Sequence, residues 1–299
     1  MAGEFDFIEW IRAQQPLRAP SDFIQVPPGD DLAVLEWMAD DLLLVGVDQV
    51  LDGVHFDASR HTPRQIGRKA INRNLSDCAA MGCLPAAALA TVALPKDASI
   101  EYAKELYLGL REAADPYFCP IVGGDTGSWA GKLVLSVTIL GRSRGVKPLT
   151  RDGAAPGDAI YVTGPLGGSI RGRHMTFEPR VFLGRKLAET GFLTAMIDLS
   201  DGLSRDLNHI CRMSGVGAVV QATAVPTHDD AVEMRRDGHT PLEHALHDGE
   251  DYELLFTAPQ GSFGTMGKQI GMITASPGLW LQTDGGLQPL EPRGWEHSL

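Results

Sequence analysis

Acidic residues stand beside glycines at the ends of short apolar runs. Asp30 and Asp31 follow Pro27-Pro28-Gly29 and precede Leu32, and Asp48 closes the run Leu42 to Val47. Asp125 follows Gly123-Gly124, directly after Ile121-Val122. Asp198 and Asp201 flank Ser200, after Ala195-Met196-Ile197 and before Gly202. Carboxylates presented at strand ends suit Mg²⁺, which takes oxygen ligands and commonly bridges carboxylates to substrate phosphates. Glycines beside them let phosphate oxygens approach backbone N–H donors. Taken singly, each Asp is more often a turn former or a helix cap. Asp201 in particular is placed to cap the helix that carries Leu203 and Leu207. The recurrence of one design along the chain favours a metal–polyphosphate site.

Asp77 belongs to a different context. Lys69, Arg73 and Asp77 are spaced four apart on a predicted helix from Pro63 to Met81, so they share one face. That face is either a solvated row of ion pairs or a charged strip turned toward a metal–phosphate cluster.

Apolar patterning supplies the elements that must hold these groups. Helices are predicted at Phe5–Ala13, Pro63–Met81, Ile100–Ala114, Arg180–Thr190 and Leu203–Met213. Strands are predicted at Leu32–Leu35, Leu42–Val47, Ala86–Leu94, Ile121-Val122, Leu133–Leu140, Ala159–Thr163, Ala195–Ile197, Val216–Gln221 and Tyr252–Thr257. GGDTGSWAG reads as a loop, and GRSRGVKPLTRDGAAPGD, rich in Gly and Pro, as a linker. A boundary near residue 146 divides residues 1–146 from residues 147–299, each half mixing helices and strands, so the class is α/β or α+β.

Composition narrows the function classes. With 38 acidic against 26 basic residues the chain carries a net charge of -12, which repels nucleic-acid phosphates and suits divalent cations. Cys78, Cys83, Cys119 and Cys211 form no CxxC pair and read as small buried hydrophobes of a reducing compartment. MAGEFDFIEW is acidic without an apolar signal core, and no apolar run approaches the ~20 residues that span a bilayer. A cytoplasmic protein is expected, with no nucleic-acid or membrane partner.

No G-x-x-x-x-G-K-[ST] loop occurs, nor a protein-kinase H-R-D or D-F-G set. Instead GDDLAVL, VDQVLDGVHF, KAINRNLSDCAAMGCLP, VGGDT, TRDGAAPGDAIYVTGPLG, AMIDLSDGLSRDLNHI and GEDYELLFT follow in order from Gly29 to Thr257. This series resembles the thiamine-monophosphate kinases. NLSDCAAMG and IDLSDGL are shared in looser form with aminoimidazole-ribonucleotide and selenophosphate synthetases, whereas GEDYELLF is more particular to the kinases.

The resemblance implies the two-domain fold of aminoimidazole-ribonucleotide synthetase. Its N-terminal domain binds ATP and Mg²⁺ and forms a homodimer, and a C-terminal α/β domain covers the active site. It implies transfer of the γ-phosphate of ATP to thiamine monophosphate. Asp31, Asp48, Asp77, Asp125, Asp198 and Asp201 would hold several Mg²⁺ ions, with Asp77, Asp125 and Asp198 central to catalysis. Tyr107, Gly124, Asp125, Arg151 and Ser200 would contact the nucleotide, and His55, Glu250 and Trp295 the thiamine phosphate. Trp295 suits stacking on a cationic thiazolium ring. The chain departs from the family pattern at Gly46-Val47, where Ser-Thr is usual, at Gln49 and at His247-Asp248, and it is shorter before FEPRV. These departures leave two alternatives beside the kinase: a paralogue using ATP and Mg²⁺ on another small acceptor, and a nucleotide-binding relative without turnover.

Overall fold

The structure, a computed structural model, describes residues 10, 11, 13, 24–26, 34–234, 237–261 and 263–295. Asp30, Asp31 and most of the predicted Phe5–Ala13 helix lie outside the described residues. The chain forms two compact units, Met1–Leu75 with Leu84–Gly145, and Ser76–Cys83 with Val146–Leu299. Each mixes helices with a sheet, which is the α/β class expected.

In the first unit, β1 (Ile24–Val26) and β2 (Val34–Leu35) form a small antiparallel pair. The strand β3 (Leu43–Leu51) comes next. The helix α1 (Pro63–Ala80) starts where Thr62 and Gln65 exchange backbone-to-side-chain hydrogen bonds, a reciprocal cap that satisfies two otherwise free amides. Its last residues, from Ser76, cluster with the second unit. The strands β4 (Leu84–Pro95) and β5 (Ile121–Trp129) run parallel, joined through α2 (Ile100–Ala114), which Ser99 caps by accepting the Tyr102 N–H. With β6 (Val134–Arg142) they complete a four-stranded sheet in the order β3-β6-β4-β5. The first unit's part of α1 meets α2 at unusually close range. A Cβ on Gly67 would stand 2.1 Å from the Leu106 carbonyl oxygen, and one on Gly109 2.1 Å from that of Arg64, so neither position admits a side chain.

The second unit carries β7 (Ala159–Val162), α3 (Val181–Glu189), β8 (Ala195–Asp198), α4 (Leu203–Ser214) and β9 (Gly217–Gln221). After these come α5 (Pro241–His247), β10 (Leu254–Ala258), β11 (Lys268–Thr274), β12 (Gly278–Thr283) and β13 (Gly286–Pro289). Its seven-stranded sheet has the order β13-β12-β9-β11-β7-β10-β8, mostly antiparallel, with β12 and β9 parallel. All four residues of β7 and all five of β10 are buried, as central strands covered on both faces must be. Leu203, Leu207 and Ile210 of α4 pack into this core with Ile160, Ile197 and Val220. No described helix is long and apolar enough to cross a membrane. None of the four cysteines forms a disulfide, and all four are buried.

Candidate active site

In the first unit two expected carboxylates lie within strands, not at strand ends. Asp48 stands inside β3 opposite Val137, because the alternation begun at Leu43 continues to Leu51. Leu43, Val45 and Val47 point outward, while Asp48 shares the inner face with Val50. Its Oδ2 lies 3.1 Å from the Arg73 Nε. Asp125 stands inside β5, level with Thr91 of β4, so the expected loop GGDTGSWAG is strand as far as Trp129. The long partner β4 supplies backbone hydrogen bonds all along it, and pairing overrides the low strand preference of glycine. Gly124 is required for that pairing: a Cβ there would meet the Ala90 carbonyl oxygen at 1.9 Å. Gly124 and Asp125 are both exposed.

The charged strip expected on α1 is not one solvated face. Lys69 is fully buried, with its ammonium on the carbonyl oxygen of His55. Arg73 reaches Asp48, and Asp77 is half-buried. His55 is itself buried, its Nδ1 accepting from the Leu51 N–H at 3.1 Å. Tyr107 is buried on α2, its ring edge-on to that of Trp10 at 5.8 Å. The implied nucleotide contact at Tyr107 and substrate contact at His55 therefore fall on side chains packed into the first unit.

The second unit gathers most of the remaining candidates around one loop. β8 ends at Asp198, and its carboxylate is buried, accepting a hydrogen bond of 2.7 Å from the Ser76 hydroxyl. The backbone then runs through Leu199, Ser200 and Asp201 to Gly202, the cap residue of α4. Asp201 does not cap this helix, contrary to expectation. Asp206, one turn inside α4, instead accepts the N–H groups of Asp201 and Gly202 on Oδ2, each at 3.1 Å. GEDYELLF straps the same loop: Glu250 N–H donates to the Ser200 carbonyl at 2.7 Å and Tyr252 N–H to that of Leu199 at 2.8 Å. Trp295 N–H donates to the Asp201 carbonyl at 3.1 Å, which sets the half-exposed indole beside the loop. Arg151 is exposed in the segment before β7, and its carbonyl accepts from Ser214 Oγ.

Asp206 and His209 cluster with Asp201, a grouping the sequence reading missed. Burial pushes the Asp206 carboxyl up to about 8, the charges of Asp198 and Asp201 add to the rise, and the two amides oppose it. The His209 ring is held below the usual histidine range by burial, then by Arg151, Arg205 and Arg212, against the pull of Asp201. The signal was available, since residues three apart on a helix share a face and the DG turn fixes Asp201 just before it.

The rest of GEDYELLF is framework. Asp251 is buried, takes the Gly167 N–H on both oxygens and meets Arg173 Nη1 at 3.0 Å. Burial still pushes its carboxyl up to about 7. Glu253 accepts from Thr163 and from Arg180, and Tyr252 stacks on Phe177 with centroids 3.8 Å apart. Asp248, one of the departures in sequence, accepts the Gly168 N–H at 2.8 Å.

Comparison with known proteins places this arrangement. The model of the family "AIR synthase related protein, N-terminal domain" matches residues 29–143. The thiamine-monophosphate kinase of Rhodopirellula baltica is 41% identical over 291 residues, covering 92% of each chain. The crystal structure of the thiamine-monophosphate kinase of Stenotrophomonas maltophilia K279a superposes with a TM-score of 0.81 at 34% identity, covering 95% of this chain and 97% of that one. A structure described as AaThiL complexed with AMPPCP and TMP gives 0.78 at 31% identity, covering 99% of this chain and 97% of that one. The chain belongs to the thiamine-monophosphate kinase family.

Proposed function

We propose that the protein transfers the γ-phosphate of ATP to the phosphate of thiamine monophosphate, giving thiamine diphosphate and ADP. The observation that carries this reading is the extent of the likeness: 99% of the chain aligns with a structure holding AMPPCP and TMP. The acceptor is already an anion, so its phosphate oxygen needs no strong base. It attacks the γ-phosphorus in line as the bond to the β-phosphate oxygen breaks, and ADP departs.

The carboxylates fit a divalent cation. Burial first, and then the charges of Asp198 and Asp201, raise the Asp206 carboxyl, and a cation offsets the charge part of that rise. Asp48 and Asp125 in the first unit, and Asp77, Asp198 and Asp201 in the second, are the proposed Mg²⁺ ligands, with Asp31. Bound there, Mg²⁺ would neutralise charge on the transferring phosphoryl group. Gly124, Asp125, Arg151 and Ser200 remain the proposed nucleotide contacts, and Glu250 and Trp295 the thiamine contacts. Tyr107 and His55, both buried in the first unit, keep their proposed places beside the nucleotide and the thiamine phosphate.

A homodimer formed through the first unit is part of the proposal. Leu43, Val45 and Val47 of the outer strand β3 are 50%, 64% and 65% exposed, an apolar row of the kind that pairs with another chain. Four buried cysteines without a disulfide support a cytoplasmic location. The reading is tested by ADP release across a panel of thiamine, thiamine monophosphate and unrelated phosphate monoesters, with and without Mg²⁺. Thiamine monophosphate with Mg²⁺ is expected to stand far above the others. A different preferred acceptor would place the chain with the paralogues, and no turnover with any would make it a binding protein.

A further inference from the structure

We propose that Arg173 and Asp251 are positioning residues for the acceptor, a role that rests on the kinase reading. With Gly167 they close a ring of hydrogen bonds that holds Glu250 where a thiamine ring would meet it. Glu250 and Tyr252, on either side of Asp251, have φ of 62° and 52°. L side chains rarely adopt this left-handed region. Where they do, the surroundings must enforce it, and such residues cluster at sites that clamp a ligand. Neither position carries the glycine that would adopt it without steric cost.

The enforcing contacts all lie in the second unit. The Asp251 carboxylate, its side chain 2% exposed, accepts the Gly167 N–H at 2.9 and 3.0 Å and Arg173 Nη1 at 3.0 Å. Arg173 Nη2 donates in turn to the Gly167 carbonyl at 2.8 Å, which closes the ring. Only a planar guanidinium fork offers two donors at the fixed angle this needs. The Tyr252 ring stacks on Phe177, which directly follows the helical turn Arg173–Thr176 that carries the arginine. Asp251 and Tyr252 are thus buried, and Glu250 between the strap and the solvent is half-buried. The Tyr252 hydroxyl, 3.4 Å from Glu250 Oε1, limits where that carboxylate turns. Glu250 and Trp295 hang from adjacent carbonyls of one loop, those of Ser200 and Asp201. A carboxylate and an indole so anchored suit a cationic heteroaromatic ring, the first by its charge and the second by its π face.

Arg173→Lys keeps the charge but cannot close the ring, and Arg173→Ala removes both. Each variant of the full-length protein is assayed by ADP release, with thiamine monophosphate and ATP varied separately, beside thermal melting. The KM for thiamine monophosphate should rise on the order of tenfold, the scale of one lost hydrogen bond to a charged group. The kcat and the KM for ATP should stay within about twofold of wild type, the signature of lost acceptor binding. Guanidinium ion at millimolar concentration should restore the KM of Arg173→Ala, and ammonium ion should not. A contact that only supported the fold would lower the melting temperature without this split between the two substrates. An unchanged KM for thiamine monophosphate, an equal change for both substrates, or failure of both variants to fold overturns the proposal and leaves the kinase reading standing. Failure of the wild type to use thiamine monophosphate overturns both.

Discussion

Ser76 Oγ donates a hydrogen bond to Asp198 Oδ2 at 2.7 Å, and both residues are buried. The contact fixes a carboxylate at the end of β8 to the stretch Ser76–Cys83, inside the second unit. A buried hydrogen bond to a charged group contributes about 1.5–3 kcal/mol. Ser76→Ala should therefore melt earlier and lose on the order of tenfold in kcat, because Asp198 is no longer held in one orientation. Steady-state ADP release and thermal melting measure the two effects. A variant that melts earlier yet keeps wild-type kcat would mean that Ser76 supports the fold alone.

Asp77→Asn and Asp125→Asn preserve size and remove a negative charge. Each should cost on the order of 10²-fold in kcat, the scale of one strong electrostatic contact. Stability should change little or rise, since clustered carboxylates repel each other in the metal-free protein. Asp152, exposed and among the described residues bonded only locally to Thr150, is the control and should tolerate Asn. Wild-type turnover in both Asp77→Asn and Asp125→Asn would place the site elsewhere.

Gly124 and Gly127 lie on the same strand, yet their surroundings differ. A Cβ at Gly124 meets a backbone oxygen at 1.9 Å, while one at Gly127 meets nothing within 4 Å. Gly124→Ala should destabilise the protein by about 1–3 kcal/mol, since the backbone must shift. Gly127→Ala should melt like wild type. Equal melting of the two variants would show that β4 and β5 are not paired at this register.

Asp41 sets an acid limit on the first unit. Burial pushes its carboxyl up, but hydrogen bonds from Arg142, Ser143 and the Arg144 amide, with the Arg142 charge, bring it down to about 2. A folded-state pKa below the unfolded value of 3.8 contributes stability above that value and loses it as pH falls toward 2. The contribution at neutral pH is about 2 kcal/mol. Asp41→Asn should lower stability by that order at pH 7 and match wild type near pH 2, in denaturant melts across the range. A difference that persists unchanged to pH 2 would assign the loss to packing.

Much of the fold was readable because local and tertiary preferences agree. The amphipathic spacing of Ile100–Ala114 matches the helix to the residue, with Ser99 as its cap, and Asp198 was expected beside its loop, directly after Ile197. Where the two conflict, the sequence misled. Gly123, Gly124 and Gly127 read as loop, yet β4 pairs with all three. Lys69 read as part of a charged face, solvated or turned toward a metal–phosphate cluster, yet its ammonium is satisfied by a carbonyl oxygen that only the folded unit brings near. Beyond Thr257 the strands β11, β12 and β13 were not anticipated, since residues such as Lys268, Gln269 and Gln282 blur the alternation. Thr240 and Glu243 form a capping box, whose Thr-x-x-Glu spacing is visible in the sequence. Asp206 and His209 lie inside a helix, away from the strand ends where the acidic pattern recurs.

The central claim is tested most directly by following the product. The purified protein is incubated with ATP, Mg²⁺ and thiamine monophosphate, and the phosphorus resonances are recorded over time. Thiamine diphosphate and ADP should appear in equal amounts as ATP and thiamine monophosphate decline together, and none should form in chelator. Release of ADP and free phosphate with thiamine monophosphate untouched would contradict the account.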